Sequence, residues 1–143
     1  MVGIKVKRLS TGDEAIPLPE YKTKGASGMD IYAMEDQVVH SDSLSVFACG
    51  FSMEIPYGYE GHIRDRSGVA RSGLKVFGGT IDSDYRGEVH VMLYNFSRSV
   101  ITILAGDRIA QMVINKVYRA VLEEVEDLSD TSRGLGGFGH TGR

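Results

Sequence analysis

The chain has 143 residues, 42% hydrophobic and 24% charged, a composition typical of one soluble globular domain. Its formal charge of −3 provides no overall positive field, so we expect no nucleic-acid partner and assign phosphate binding to local arginines. No apolar stretch has the length of a membrane span, the N-terminal segment lacks a signal-peptide apolar region, and Cys49 is the single cysteine. We therefore expect no membrane contact and a cytoplasmic location, with a viral or nuclear setting still open.

Strands dominate the predicted structure. Six segments rich in Val, Ile, Phe and Tyr follow one another along the chain: IKVKRL, QVVHS, LSVFACGFSMEI, GEVHVMLYNF, VITIL and RIAQMVINKVY. Turns rich in Gly, Pro, Asp and Ser separate them, and this spacing predicts a sandwich or a closed barrel. Cys49 falls within one of these apolar runs, so it is predicted to be a small buried hydrophobe.

Two segments have helical character. RSGVARSGL is predicted to form one or two helical turns, with Ser67 near the start. AVLEEVEDL, residues 120–128, places Val121, Leu122, Val125 and Leu128 at helical spacing, yet its length fits a strand equally well. Periodicity alone leaves the second segment open between helix and strand.

Two polar motifs occur at turns in the first half of the chain. In GASGMDIYA, Asp30 follows a small-residue turn, where it either caps a strand start or lies near a hydrated magnesium ion. In DRSGVARSG, the amides around Ser67 and Gly68 can form an anion site at a short helix, with Arg66 adding charge. The alternative for Ser67 is an N-cap in a turn.

The segment GGTIDSDYRGEV is predicted to be a hairpin, in which a loop and an Asp-Ser-Asp-Tyr turn precede the strand EVHVMLYNF. Its two aspartates either satisfy turn amides or include a general base that polarises water. The backbone groups of such a hairpin can recognise the edge of a flat ring, and Tyr85 can form a wall against a sugar.

Two further motifs complete the set. In GDRIAQMVI, Arg108 and Gln111 follow a turn, as phosphate ligands or as a surface arginine and an edge-strand glutamine. The C-terminal RGLGGFGHTGR is basic and rich in glycine, which makes it costly to order. Phe138 can stack on a nucleobase and Arg133 can pair with phosphate, although many such ends have no role.

In this order, the segments SGMDIYA, RSG, GTIDSDYRG, GDRIAQ and RGLGGFGHTG resemble the five motifs of the trimeric dUTP diphosphatase (dUTPase) family. The resemblance runs from about Ala26 to Arg143, and its third and fifth motifs are the most specific. Ser27 stands where the family usually has alanine, and Asp65 precedes RSG where proline is usual. The second departure places an acid near the expected phosphate site.

The resemblance implies a mainly β fold, a jelly-roll-like β-clip barrel with one short helix. Residues 1–132 would form a single β domain, and 133–143 a flexible Gly-rich arm that closes over a neighbouring subunit's active site. The family forms homotrimers with three sites at subunit interfaces, each drawing motifs from more than one subunit. By the same resemblance, AVLEEVEDL is a strand.

The implied reaction is hydrolysis of dUTP to dUMP and pyrophosphate, which supplies dUMP and keeps uracil out of DNA. Asp82 matches the general base that orients a water for attack on the α-phosphorus. Mg²⁺ would be held mainly by the triphosphate oxygens, with Asp30 reaching it only through water. The resemblance leaves Arg108 either structural or phosphate-binding. The implied substrate-binding residues are Arg66, Ser67, Gly68 and Gln111 for the α- and β-phosphates, Gly79, Thr80, Ile81 and His90 for uracil, Tyr85 for the deoxyribose, Phe138 over the uracil, and Arg133, Gly139 and Thr141 for the γ-phosphate.

Three alternatives compete with this interpretation. A dCTP deaminase has a related fold but would release ammonia, and the IDSDYRG motif and the Gly-rich tail with its phenylalanine favour the diphosphatase. A nucleotide sensor without turnover would keep the fold, whereas the intact Asp82, Tyr85 and Phe138 favour an active enzyme. A purely structural trimer leaves the five ordered motifs unexplained.

Overall fold

The fold is known from a computed structural model, which describes residues 1–138. Within that range it contains eleven strands and one short helix. In chain order these are β1 (Lys5–Arg8), β2 (Met29–Tyr32), β3 (Gln37–Val39), β4 (Leu44–Ala48), β5 (Phe51–Glu54), β6 (Tyr59–Arg64), α1 (Ser67–Arg71), β7 (Leu74–Phe77), β8 (Thr80–Ile81), β9 (His90–Asn95), β10 (Ile101–Ile103) and β11 (Arg108–Lys116).

The paired strands are antiparallel and belong to four small sheets within the described range. The largest has the order β2-β11-β6-β8, the next has the order β4-β9-β7, and β1 with β5 and β3 with β10 form two-stranded sheets. The protein therefore has the mainly β, jelly-roll-like fold that the sequence predicts, and α1 confirms the short helix after Arg66. No helix within residues 1–138 is long and apolar enough to cross a membrane.

A hydrophobic core lies between the sheets. Successive strand residues point to opposite faces, so in β9 Val91 and Leu93 are buried while His90 is exposed. Cys49 is also buried, and burial raises the pKa of its thiol to about 12, with the nearby Glu88 charge acting in the same direction. The prediction of a small buried cysteine is confirmed, and a thiol with so high a pKa is unreactive.

The apolar run LSVFACGFSMEI is not one continuous strand. It divides into β4 and β5 at Cys49 and Gly50, and Gly50 has a φ of +69°, a left-handed conformation that favours glycine. A Cβ there would also lie 2.4 Å from the Cα of Gly12. The change of direction lets β4 pair with β9 and β5 pair with β1.

The predicted hairpin at GGTIDSDYRGEV is wrong. β8 pairs with β6, whereas β9 pairs with β4 and β7, so the chain passes from one sheet to another between them. Val89 explains this path, because it is fully buried and its amide donates to the Phe51 carbonyl at 2.9 Å. The Asp-Ser-Asp-Tyr turn itself is present, closed by a hydrogen bond from the Tyr85 amide to the Asp82 carbonyl at 3.1 Å.

Residues 120–128 form neither a helix nor a strand in this chain. Val121, Leu122 and Leu128 are almost fully exposed, at 98%, 93% and 87%. A strand needs a neighbouring strand and a short helix needs a packed apolar face, and the described part of this chain offers segment 120–128 neither. The strand predicted by resemblance is therefore wrong for the single chain.

Candidate functional site

Three of the predicted motifs meet because β11 lies between β2 and β6. In the register of these strands, Gln111 is opposite Asp30 on one side and opposite Arg64 on the other. Arg64 ends β6, and the next residues lead into α1. Strand pairing thus brings GDRIAQ beside SGMDIYA and RSG, although long stretches of chain separate them.

These motifs line a cavity of about 260 Å³, called the arginine cavity below. Its lining contains Asp30, Arg66, Ser67, Arg108 and Gln111, together with residues of the preceding small-residue turn. Ser67 is the first residue of α1 and is exposed, while the N-cap is Arg66, so Ser67 does not serve as the N-cap. Exposed amides and two guanidinium groups at one opening suit a polyanion.

Asp30 organises the two arginines. It is only 8% exposed, and its Oδ1 lies 2.8 Å from Arg66 Nε while its Oδ2 accepts a hydrogen bond from Arg108 Nη1 at 3.1 Å. Arg66 Nη1 also donates to the Arg108 carbonyl at 3.0 Å. Both arginines are therefore held in fixed positions, and Arg108 both makes a structural ion pair and lines the cavity.

Gln111 is held by one hydrogen bond and occupies the space beside Gly28. Its Nε2 donates to the Asp65 carbonyl at 2.8 Å, and its Oε1 lies where a Cβ on Gly28 would come within 2.5 Å. Gly28 therefore provides the space that Gln111 occupies. Gly28 was not among the residues predicted from the sequence, although the small-residue run GASG was its signal.

Gly68, predicted to bind phosphate through its amide, is exposed in α1, and a Cβ added to it would meet no atom within 4 Å. A larger side chain would therefore fit at position 68, whereas it would not fit at position 79. A Cβ on Gly79 would lie 2.2 Å from the Ile63 carbonyl oxygen, and the Gly79 carbonyl accepts from the Ile63 amide at 2.7 Å. Gly79 is thus required for the close approach of its loop to β6.

A second cavity, of about 150 Å³, brings together most of the residues predicted around the nucleoside and is called the Tyr85 cavity below. Its lining consists of Thr80, Ile81, Asp82, Tyr85, Glu88 and His90. Asp82 is exposed and also lines a larger open cavity of about 590 Å³ formed with Tyr57, Tyr59 and Tyr118. The Asp82 carboxylate is accordingly accessible to water from more than one side.

Glu88 holds the walls of the Tyr85 cavity and was not among the residues predicted from the sequence. Its carbonyl accepts from the Tyr85 hydroxyl at 2.8 Å and lies 3.0 Å from His90 Nδ1. Its carboxylate accepts from the Thr11 hydroxyl at 2.8 Å and from the Gly50 amide at 2.9 Å. The two carboxylate contacts are long-range in sequence, and no local pattern could have indicated them.

The arginine cavity and the Tyr85 cavity share no lining residue. Most of the predicted phosphate ligands are therefore separate, on the single chain, from the predicted base and sugar ligands. Gln111 and Gly79 are the exception, because both line another cavity, of about 470 Å³. The arm residues also lie apart from both linings: Arg133 Nε donates to the Gly136 carbonyl at 2.8 Å, and Phe138 is fully exposed. Gly139 and Thr141 lie outside the described residues.

Comparison with known proteins identifies the family. The dUTPase family model matches residues 14–142, which is most of the chain. This chain belongs to the dUTPase family. The deoxyuridine 5'-triphosphate nucleotidohydrolase of Anaeromyxobacter sp. (strain Fw109-5) is 47% identical to this dUTPase family member over 99% of both chains. That of Anaplasma marginale (strain St. Maries) is 48% identical, also over 99% of both.

Solved dUTPase structures share the fold over nearly the whole chain. The dUTPase of Staphylococcus bacteriophage 80alpha with dUPNHPP superposes with a TM-score of 0.87 at 28% identity, covering 99% of both chains. A mutant dUTPase from phage phi11 of S. aureus, described with a structural Mg(II) ion, gives a TM-score of 0.80 at 25% identity. That comparison covers 90% of this chain and 99% of the phage chain.

Proposed function

We propose that this dUTPase family member hydrolyses dUTP to dUMP and pyrophosphate through two sets of residues that meet only between subunits. The observation that carries the proposal is that two cavities on one chain have no lining residue in common: Arg66, Ser67 and Arg108 line the arginine cavity, and Asp82, Tyr85 and His90 line the Tyr85 cavity. The first suits a polyphosphate and the second suits a nucleoside with a carboxylate beside it. Family membership and relatives about half identical over their full length support dUTP as the substrate.

In the proposed site, the phosphates bind in the arginine cavity. Arg66 would pair with phosphate oxygens, assisted by the exposed backbone around Ser67 and Gly68 and by the Gln111 amide. Arg108 is held by Asp30 at its Nη1, which leaves other guanidinium N–H groups to bind the same anion. The ion pairs with Asp30 reduce the cost of ordering both arginines when substrate binds.

Uracil and deoxyribose would bind at the Tyr85 cavity. The backbone of Thr80 and Ile81, with His90 beside it, can satisfy the donor and acceptor pattern of uracil and leave cytosine mispaired. Gly79 lies just before them and lines the neighbouring cavity, and because its carbonyl already accepts from the Ile63 amide, only its amide would be available to the base. The Tyr85 ring is fixed through its hydroxyl on Glu88, so it presents a rigid wall that would exclude a 2′-hydroxyl. Phe138 of the arm would cover the base, an arrangement for which its exposed ring is available.

Asp82 is proposed as the general base. It is exposed and lines the Tyr85 cavity, so it can accept a proton from a water that attacks the α-phosphorus in line. A bond forms between the water oxygen and the α-phosphorus, and the bond from the α-phosphorus to the bridging oxygen breaks. One proton of the water passes to the carboxylate, and the products are dUMP and pyrophosphate. Positioning and charge stabilisation supply most of the acceleration in such phosphoryl transfers.

Magnesium fits this arrangement as an ion held by the substrate. Within residues 1–138, no group of three or more His, Cys, Asp or Glu side chains is arranged to hold a metal. Mg²⁺ dehydrates reluctantly and commonly combines phosphate oxygens, waters and one or two carboxylates. Both Asp30 oxygens are engaged by arginine, which suits contact with a hydrated ion through water. When bound, the ion would neutralise charge on the triphosphate.

A homotrimer is the assembly we propose, with each site completed by neighbouring subunits. Segment 120–128 supports it, because its apolar side chains are exposed and its backbone has no strand partner within the described chain. Another copy of the chain can supply both a sheet partner and a cover for these apolar side chains. Residues 133–143 would follow it as an arm onto a neighbour's site, with Arg133, Gly139 and Thr141 on the γ-phosphate. The cytoplasmic location stays a prediction.

The test compares Asp82→Asn with Asp84→Asn, a matched control in the same turn that does not line the Tyr85 cavity. Pyrophosphate release is measured from dUTP, dCTP, dTTP and UTP with magnesium, together with ammonia release and binding of a non-hydrolysable dUTP analogue. We expect wild type and Asp84→Asn to cleave dUTP selectively, and Asp82→Asn to bind the analogue without turnover.

Other outcomes contradict specific parts of the proposal. Full turnover by Asp82→Asn would remove Asp82 as the general base. Ammonia from dCTP would reassign the protein as a deaminase, and analogue binding by a wild type without any turnover would make it a sensor.

A further inference from the structure

Asp65 stands immediately before the phosphate-binding motif, yet its side chain belongs to a different part of the surface. Its Oδ1 accepts a hydrogen bond from the Val76 amide at 2.7 Å, and its Oδ2 pairs with the Lys75 ammonium. Asp65 lines the cavity of about 470 Å³ with Lys75, Gly78 and Gly79, and it does not line the arginine cavity, although Gln111 lines both. The acid beside Arg66 is thus anchored on β7.

The backbone of Asp65 contacts the phosphate side. Its carbonyl accepts a hydrogen bond from Gln111 Nε2 at 2.8 Å, and Gln111 lines the arginine cavity. Arg66, the next residue, is the N-cap of α1 and pairs with Asp30. One residue therefore links strand β7, through its side chain, to two groups of the arginine cavity, through its main chain.

The charge of Asp65 also needs compensation. Partial burial acts to raise the pKa of this carboxyl, but hydrogen bonds from Lys75 and the Val76 amide, with the Lys75 charge, hold the pKa below its usual value. Asp65 is therefore ionised at neutral pH, one residue from a group proposed to bind a polyanion. Without a partner, such a charge would weaken phosphate binding over a range set by ionic strength.

We propose that Asp65 and Lys75 form a positioning pair for the phosphate site, an inference that rests on the proposed function. Asp65 fixes the segment that carries Arg66 and supplies the acceptor for Gln111, while Lys75 cancels the charge that Asp65 brings close to bound phosphate. Neither side chain needs to touch the nucleotide. An acid immediately before RSG would otherwise repel bound phosphate, and the pairing prevents this because Lys75 neutralises the carboxylate and β7 holds it.

The decisive variants are Lys75→Met, Asp65→Asn and the double variant. Lys75→Met leaves an unpaired carboxylate, so we expect KM for dUTP to rise about threefold to tenfold with kcat within about twofold of wild type, and the rise to shrink at high salt. Asp65→Asn keeps an oxygen acceptor for the Val76 amide and removes the charge, so its KM should be equal to or below that of wild type. The double variant should return close to wild type, although it lacks both charged groups.

Binding of inorganic pyrophosphate, measured by calorimetry, provides a readout that does not depend on turnover. We expect the pyrophosphate affinities of the variants to follow the same order as their KM values for dUTP, with Lys75→Met binding most weakly. Lys5→Met is the matched control, because Lys5 forms a comparable exposed ion pair with Glu54 on the sheet of β1 and β5. It should change neither KM nor pyrophosphate affinity.

Two results would overturn the pairing. One is a Lys75→Met variant whose KM and pyrophosphate affinity equal those of wild type, even if its melting temperature falls, because that pattern describes a purely structural contact. The other is equal weakening in Lys75→Met and in the double variant, because charge compensation requires the second substitution to rescue the first. Absence of dUTP cleavage by wild type would refute the proposed function, while the pyrophosphate series would still test the pair.

Discussion

Gly87→Ala tests whether the wall of the Tyr85 cavity is fixed in the way the structure describes. A Cβ on Gly87 would lie 2.4 Å from the Tyr85 hydroxyl oxygen and 2.5 Å from its Cζ, too close for the ring to stay in place. Gly87 does not have a positive φ, so its backbone accepts alanine without strain. The substitution therefore acts on Tyr85 and on little else.

The expected magnitude follows from what Tyr85 loses. Tyr85 is 41% exposed and can swing outward, so the overpacking cost should fall near the lower end of the usual range of about 1–3 kcal/mol, at about 1 kcal/mol. Loss of the hydrogen bond from its hydroxyl to the Glu88 carbonyl adds up to about 1 kcal/mol. In a Tyr85→Ala background the clash is absent, and Gly87→Ala should be neutral or stabilising by about 0.4–1 kcal/mol.

The assay is urea unfolding of the four proteins of this double-mutant cycle at one fixed protomer concentration, since oligomerisation makes stability depend on concentration. We expect a coupling free energy of about 2 kcal/mol between the two positions. Cleavage of UTP relative to dUTP should rise in both Gly87→Ala and Tyr85→Ala, whereas Tyr85→Phe, which keeps the ring, should retain most of the selectivity.

Equal destabilisation by Gly87→Ala in both backgrounds would show that Tyr85 is not the group displaced. An unchanged ratio of UTP to dUTP cleavage in Tyr85→Ala, with the fold intact, would refute the sugar wall itself.

Three further predictions concern the arm, the core and the pH dependence of stability. Truncation after Ser132 should cut dUTP turnover strongly while the oligomer, measured by light scattering, stays intact; retained turnover would contradict the role of 133–143. Asn95→Leu should cost about 3–5 kcal/mol in chemical denaturation, because buried Asn95 loses four hydrogen bonds of about 1 kcal/mol each, although the Ser97 hydroxyl and the Ser99 carbonyl keep their bond to each other. Folding lowers the pKa of Asp65, so ionised Asp65 stabilises the folded state at pH values above its unfolded-state pKa of about 3.9. This stabilisation is lost as the pH falls through the lower pKa of the folded state. The stability advantage of wild type over Asp65→Asn should therefore shrink below about pH 4, and an advantage that grows there would refute the assignment.

Local patterns were sufficient for several features. Alternation of apolar residues predicted the mainly β fold, and the apolar surroundings of Cys49 predicted its burial. The run after Arg66 predicted α1. These features depend on side chains close together in sequence, so one segment contains the information needed.

Tertiary pairing decided the features that were predicted wrongly or missed. Local turn chemistry is compatible with a hairpin around Asp82, but burial of Val89 beside Phe51 sends β8 and β9 into different sheets. Segment 120–128 has a composition that fits a strand and no strand partner in the described part of its own chain. In both cases strand pairing depends on residues that are distant in sequence, and a short sequence segment does not contain that information.

The motifs and their order are properties of the sequence alone, and they were enough to indicate the family and its chemistry. The position of each group relative to the others was decided only by the fold. Strand β11 brings Gln111 between Asp30 and Arg64, and the same fold keeps Asp82 in a separate cavity. The sequence records which donors and charges are present, whereas long-range strand pairing determines which of them face one another, because each pairing is selected by burial of the whole core.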